Sequence, residues 1–150
     1  MVDHNKYLIQ LSEVLCPLVW DAPLAVLSPA EQVFVCVYDL ESEVNNGGFD
    51  QFFRNSPGRY GRQAVDALDV IGATHMAEIT RRATTLAFSG GNIPEDQDAR
   101  GDALDAAGTP LEDALSECDN DFYRYPDDLT ELLFRYVQDH KNTIRGVAPA

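Results

Sequence analysis

Residues Ser28-Pro29-Ala30-Glu31 form the pattern of a helix capping box with proline at the first helical position. This pattern decides how the next stretch folds. Val33 to Tyr38 is a six-residue apolar run that could pass for a buried strand. Behind a helix start it reads as helix, and Val33, Val37, Leu40 and Val44 fall at i, i+4, i+7 and i+11. Phe34 and Tyr38 widen that stripe, so this helix is expected at the centre of the fold. It is expected to end at Asn45-Asn46-Gly47-Gly48, because Asn and Gly tolerate the left-handed backbone of a helix C-terminus. Phe49 to Asn55 then fits a short helix with Phe49, Phe52 and Phe53 pointing inward, stopped by Asn55-Ser56-Pro57-Gly58.

The rest of the chain repeats the helical period. Tyr7, Leu8, Leu11, Leu15 and Leu18 predict a first helix over about 5–19, weakened in its last turn by Pro17. Ala64, Leu68 and Ile71 mark another, ended by Gly72. Thr74 can cap the next, which carries Met76, Ile79, Ala83 and Leu86 on one face. Ser89 to Pro94 is a loop. Residues 95–107 read as an exposed acidic helix broken by Gly108, and Thr109-Pro110-Leu111-Glu112 as a second capping box. Leu111, Leu115, Cys118 and Phe122 continue from there. Leu129, Leu132, Leu133, Tyr136 and Val137 define a final helix on which Glu131 and Arg135 can pair. The tail from Gly146 to Ala150 is expected to fray. No strand, repeat or low-complexity segment is evident. The expectation is one all-α domain over 1–150, with seven or eight helices.

Charge is the second constraint. Of 150 residues, 25 are acidic and 11 basic, a net charge of −14. That balance argues against direct contact with nucleic acid or an anionic membrane, and it suits a basic partner or plain solubility. The acidity is concentrated. Residues 95–131 hold thirteen acidic side chains against Arg100 and Arg124, whereas 54–94 are net +2. Asp98, Asp102 and Asp105 share one helical face, as do Asp113 and Glu117 on the next segment. Like charges at this spacing cost a few tenths of a kcal/mol each. Rows of carboxylates resemble a phosphate backbone in charge density, and could engage the lysine- and arginine-rich face of a DNA-binding protein.

Catalytic and metal templates fail. Asp119-Asn120-Asp121 starts like a calcium loop, but the sixth position is Arg124 and the twelfth Thr130. His4, His75 and His140 form no metal-binding pair, and His75 with Glu78 reads as a helix-surface pair. Gly90-Gly91 lacks the Lys-Ser/Thr of a phosphate loop, and no GxSxG elbow occurs. Cys16, Cys36 and Cys118 are scattered, and Cys118 lies on an apolar stripe, so neither a disulfide framework nor a zinc site is suggested. The chain starts without a secretory pattern and has no apolar run of membrane length, so a cytoplasmic protein without cofactor or metal is expected. The polar groups at 45–55 admit two readings: a polar site at a helix junction, or a tight turn whose side chains satisfy helix ends.

The same stretch, from Glu43-Val44-Asn45-Asn46-Gly47-Gly48-Phe49 through Asp50-Gln51-Phe52-Phe53-Arg54-Asn55-Ser56, resembles the signature of a bacterial family once catalogued as a domain of unknown function. Its characterised member is an acidic DNA mimic. Ala67-Leu68, Ile71-Gly72-Ala73 and the 119–136 region extend the resemblance over about 28–140. The resemblance implies an all-α fold and a homodimer that binds a helix-turn-helix regulator in place of its operator. From the distribution of charge, the partner-binding surface is expected at Asp39, Glu43, Asp98, Asp102, Asp105, Glu112, Asp113, Glu117, Asp119, Asp121, Asp127 and Asp128. Asn45, Asn46, Gly47, Gly48, Phe49, Gln51, Phe52 and Asn55 are expected to be structural. An inhibitor of a basic toxin, and an enzyme with its site at 45–55, are the competing expectations.

Overall fold

The structure, a computed structural model, describes residues 1–147. It is all-helical, with six α-helices and several single 3-10 turns. The helices are α1 (His4–Leu15), α2 (Pro29–Arg54), α3 (Gly61–Val70), α4 (Thr74–Ala87), α5 (Gln97–Tyr123) and α6 (Leu129–Asp139). Helix α2 is the centre. It packs on α3 and α5, while α4 spans α3 and α5, and α1 lies against α6 and the near end of α2. No helix among the described residues is long and apolar enough to cross a membrane.

The capping box starts α2 as expected. Ser28 Oγ accepts from the Glu31 amide at 3.2 Å, and Glu31 Oε1 accepts from the Ser28 amide at 2.8 Å. Glu31 Oε2 also accepts from the backbone and side chain of Arg145, both at 2.9 Å. Arg145 thereby ties the chain end to the start of the central helix, and Val147 packs on the core. The expected fraying is therefore absent at Gly146–Val147; residues 148–150 lie outside the described part. Phe34, Leu40 and Val44 are fully buried, as are Phe49, Phe52 and Phe53.

The helix count is lower than seven or eight because two expected ends are bends. Helical geometry breaks at Gly47 and Gly48, within the expected end, but a second helical stretch follows at once and runs to Arg54, so α2 is a kinked pair. Gly48 has φ 77 and ψ −177, a region essentially confined to glycine. Gly108, with φ 63 and ψ −152, bends α5 by the same means. The apolar stripe resumes beyond each glycine, so a second helical stretch abuts the first with no loop between them.

Other local expectations are corrected by long-range partners. Thr74 does not cap α4; Asp127 Oδ2 accepts from the Met76 amide at 2.8 Å, and Asp127 Oδ1 lies 3.0 Å from His75 Nδ1. Leu86 is exposed, and Thr80, Thr84 and Ala87 fill that face of α4 instead. Glu131 pairs with His4 at 2.6 Å rather than with Arg135.

Candidate functional site

The twelve expected surface carboxylates fall into two groups. Five are half-buried and spend oxygens inside the molecule. Asp39 Oδ2 accepts from the Tyr60 hydroxyl at 2.8 Å. Burial pushes the Asp39 carboxyl above the usual range, against the pull of bonds from Tyr60 and Cys16. Glu43 Oε2 accepts from Gln51 Nε2 and Asn55 Nδ2, each at 2.8 Å. Asp119 Oδ1 accepts from the Phe49 amide at 2.8 Å, and burial raises its pKa too. Asp121 pairs with Arg82 and Arg124, and Asp127 caps α4.

The other seven are exposed. Asp128 caps α6 through the Glu131 amide at 3.2 Å, and Asp105 pairs with Arg54 at 2.9 Å. Asp98, Asp102, Glu112, Asp113 and Glu117 remain, all on α5, with no side-chain partner among the described residues. Their arrangement follows from the helix period. Arg100, Leu104, Leu111, Leu115, Cys118 and Phe122 face inward, so the acidic positions between them are turned to solvent. The Gly108 bend divides them into two clusters, Asp98, Asp102 and Asp105 over about 11 Å and Glu112, Asp113 and Glu117 over about 8 Å. Neighbours within a cluster are about 2–6 Å apart along the axis, against one phosphate per about 3.4 Å along a DNA strand.

The residues at 45–55 converge on the α2 kink and bond to one another. Asn46 Nδ2 donates to Gln51 Oε1 at 3.2 Å, and Gln51 in turn donates to Glu43. Asn45 Nδ2 donates to the Tyr125 hydroxyl at 2.7 Å, which donates to Glu41 Oε2 at 2.6 Å. The Val44 carbonyl at the kink accepts from the Tyr123 hydroxyl at 2.8 Å. Asp119 lies against Gly48, where any Cβ would collide with its carboxylate. The stretch thus stitches the bend in α2 to the far end of α5.

Residues 25–140 match the model of the DMP19-like protein family. The chain belongs to that family. The DMP19-like region begins just before α2 and takes in all twelve carboxylates and the whole kink network, whereas α1 and Trp20 precede it. No curated protein and no solved structure matches the chain. Among the described residues no three His, Cys, Asp or Glu side chains converge as metal ligands would.

Sequence reasoning missed Arg100. The acidic surroundings predict an exposed helix there, yet its side chain is only 1% accessible. Nε donates to the Phe53 carbonyl at 2.8 Å and Nη2 to the Asn55 carbonyl at 3.0 Å. Nη1 reaches the carbonyls of Pro94 and Glu95 at 3.0 and 2.7 Å. It closes the C-terminus of α2, the role a terminal cation plays for unsatisfied carbonyls. The one available signal was its i, i+4 spacing to Leu104 on the inward face.

Proposed function

We propose that this chain is a non-enzymatic acidic binding protein whose α5 face occupies the DNA-binding surface of a basic protein, as a DNA mimic does. The observation that carries this reading is the set Asp98, Asp102, Glu112, Asp113 and Glu117, exposed on both sides of the α5 bend and without side-chain partners among the described residues. Stacking like charges along a helix opposes its own stability, and a cationic partner surface relieves that repulsion. A helix-turn-helix regulator is the partner that the family resemblance suggests. The polar groups of the kink are bonded to one another, which favours binding over an enzyme at 45–55. A homodimer, as the resemblance implies, would present two such faces.

The test is capture from the host lysate at low salt, with wild type against the variant D98N/D102N/E112Q/D113N/E117Q. Asp105 is left intact because it holds Arg54. Wild type is expected to retain a basic DNA-binding protein that is released by raised salt and by duplex DNA, and the variant to lose it. Capture insensitive to salt, DNA and the variant would refute the reading. Capture of a basic toxin that DNA does not displace would favour the inhibitor instead.

A further inference from the structure

Trp20 is 71% exposed on the short segment between α1 and α2, the largest side chain left so open. It stands on the rim of a cleft of about 340 Å³ lined by Val19, Asp39, Glu43, Asn55, Pro57 and Tyr60 among others. The cleft has aromatic and apolar walls and two carboxylates on its floor. Asp39 and Glu43 lie one turn apart on α2, about 6 Å along the axis. Each commits one oxygen internally, Asp39 Oδ2 to Tyr60 and Glu43 Oε2 to Gln51 and Asn55. Asp39 also receives the Cys16 thiol, while the second oxygen of Glu43 takes no hydrogen bond among the described residues.

Arg59 lies beside this cleft: its charge acts on Asp39, but its hydrogen bonds go elsewhere. Its Nη2 donates to the carbonyls of Val19 and Ala22, at 2.7 and 3.1 Å, and its guanidinium lies 5.4 Å from the Tyr60 ring centre. These bonds pin the segment that carries Trp20, so the indole is held at the rim. With Asp39 and Glu43 ionised, the cleft keeps a net negative charge after Arg59 is counted. An open indole beside two buried-edge carboxylates is the chemistry that receives a cation, and a planar one above all.

We infer that the cleft beneath Trp20 receives a guanidinium group, stacked on the indole and held by Asp39 and Glu43, and that its occupant is an arginine side chain of the basic partner. The assignment of the arginine to that partner rests on the proposed function; the affinity of the cleft for guanidinium does not. Arginine fits better than lysine because its flat head can stack and fork between two acceptors, whereas an ammonium is a compact, strongly hydrated charge. Trp20 precedes the family-matched region while Asp39, Glu43 and Tyr60 lie within it, so the cleft joins a family floor to a rim supplied by this chain's own N-terminal segment.

Trp20 is the sole tryptophan, so its fluorescence reports this cleft alone. The folded full chain is titrated at low salt with acetyl-arginine amide and, separately, with acetyl-lysine amide. A saturable change in emission with the arginine probe is expected, with weaker binding of the lysine probe. D39N keeps an acceptor for Tyr60 but removes the charge, and is expected to weaken binding about five- to tenfold. Should D39N not fold, W20A followed by calorimetry serves instead, with the same loss expected. Emission that does not saturate, equal binding of both probes, or undiminished binding by these variants overturns the inference. The α5 variant should bind the arginine probe as wild type does, so failure of the acidic face and failure of the cleft are told apart.

Discussion

Arg100 gives the sharpest test of how this fold is held. Replacing it with alanine strips four hydrogen bonds from the carbonyls of Phe53, Asn55, Pro94 and Glu95 and leaves a hole among fully buried side chains. Bonds from a charged donor contribute about 1.5–3 kcal/mol each, so the gross loss is about 6–12 kcal/mol. Against this stands the cost of burying the guanidinium, several kcal/mol, which the alanine variant no longer bears. Burial and the neighbouring Arg59 both push the Arg100 pKa down, which shows that this cost is present. The net expectation for R100A is a loss of about 3–5 kcal/mol, a large part of the 5–15 kcal/mol available to a domain. R100M separates the two contributions. It restores volume but no donor, so the carbonyls stay unsatisfied and a loss of at least about 2 kcal/mol should remain. R100K keeps a charge but not the fork, and should fall between methionine and wild type. Urea unfolding followed by far-UV circular dichroism measures all three. An R100M variant within about 1 kcal/mol of wild type would refute the capping role and leave Arg100 as mere filling.

The other predictions address the kink and the chain end. G48A should cost about 2–4 kcal/mol in urea unfolding, since its φ of 77 is foreign to alanine and the new Cβ meets Asp119; a loss under about 1 kcal/mol would show that the bend is soft. For Glu31, burial raises the carboxyl pKa but bonds from Arg145 and Ser28 outweigh it, leaving it at about 2 against an ordinary 4.5. The folded chain therefore favours the ionised form, and its contribution is complete above pH 4.5 and lost as pH falls toward 2. E31Q should lower stability at pH 7 by about 1–2 kcal/mol, discounted because Arg145 is exposed, and should flatten the stability profile across that acid window; an unchanged acid slope would contradict it.

How much of this was legible in the sequence depends on the range of the interaction. The Ser28–Glu31 cap, the burial of Phe49, Phe52 and Phe53, and the inward row Leu111, Leu115, Cys118 and Phe122 are set within one or two turns, and each is found where the spacing places it. What was not legible depends on residues far apart in the chain. Asp119 and Asp127 read as surface charge until the fold brings them to the Phe49 and Met76 amides, 70 and 51 positions away. Gly48 and Gly108 read as stops, and helical geometry does break at each, but local chemistry cannot show that the next helical stretch follows with no loop between. Arg145 carries no local signal for its bond to Glu31, 114 positions back. Family membership rests on the match over residues 25–140, most of the chain.

The same distinction decides which residues can reveal function. The conspicuous motif at 43–56 is a poor place to look for it. Glu43, Asn46, Gln51 and Asn55 bond to one another across the kink, and Asn45 bonds to Tyr125 just beyond the end of α5. Substitutions there disturb the bend that aligns α2 with α5, so lost binding and lost folding would arrive together. Asp98, Asp102, Glu112, Asp113 and Glu117 have no such internal duty. Neutralising them removes repulsion along one helix and should leave stability unchanged or slightly higher. A variant that is at least as stable as wild type and yet fails to bind locates function in the charge itself. In this chain the motif at the kink and the α5 carboxylates proposed to meet a partner are different sets, joined by α5, whose inner face and final turn meet the kink while its outer face carries the charge.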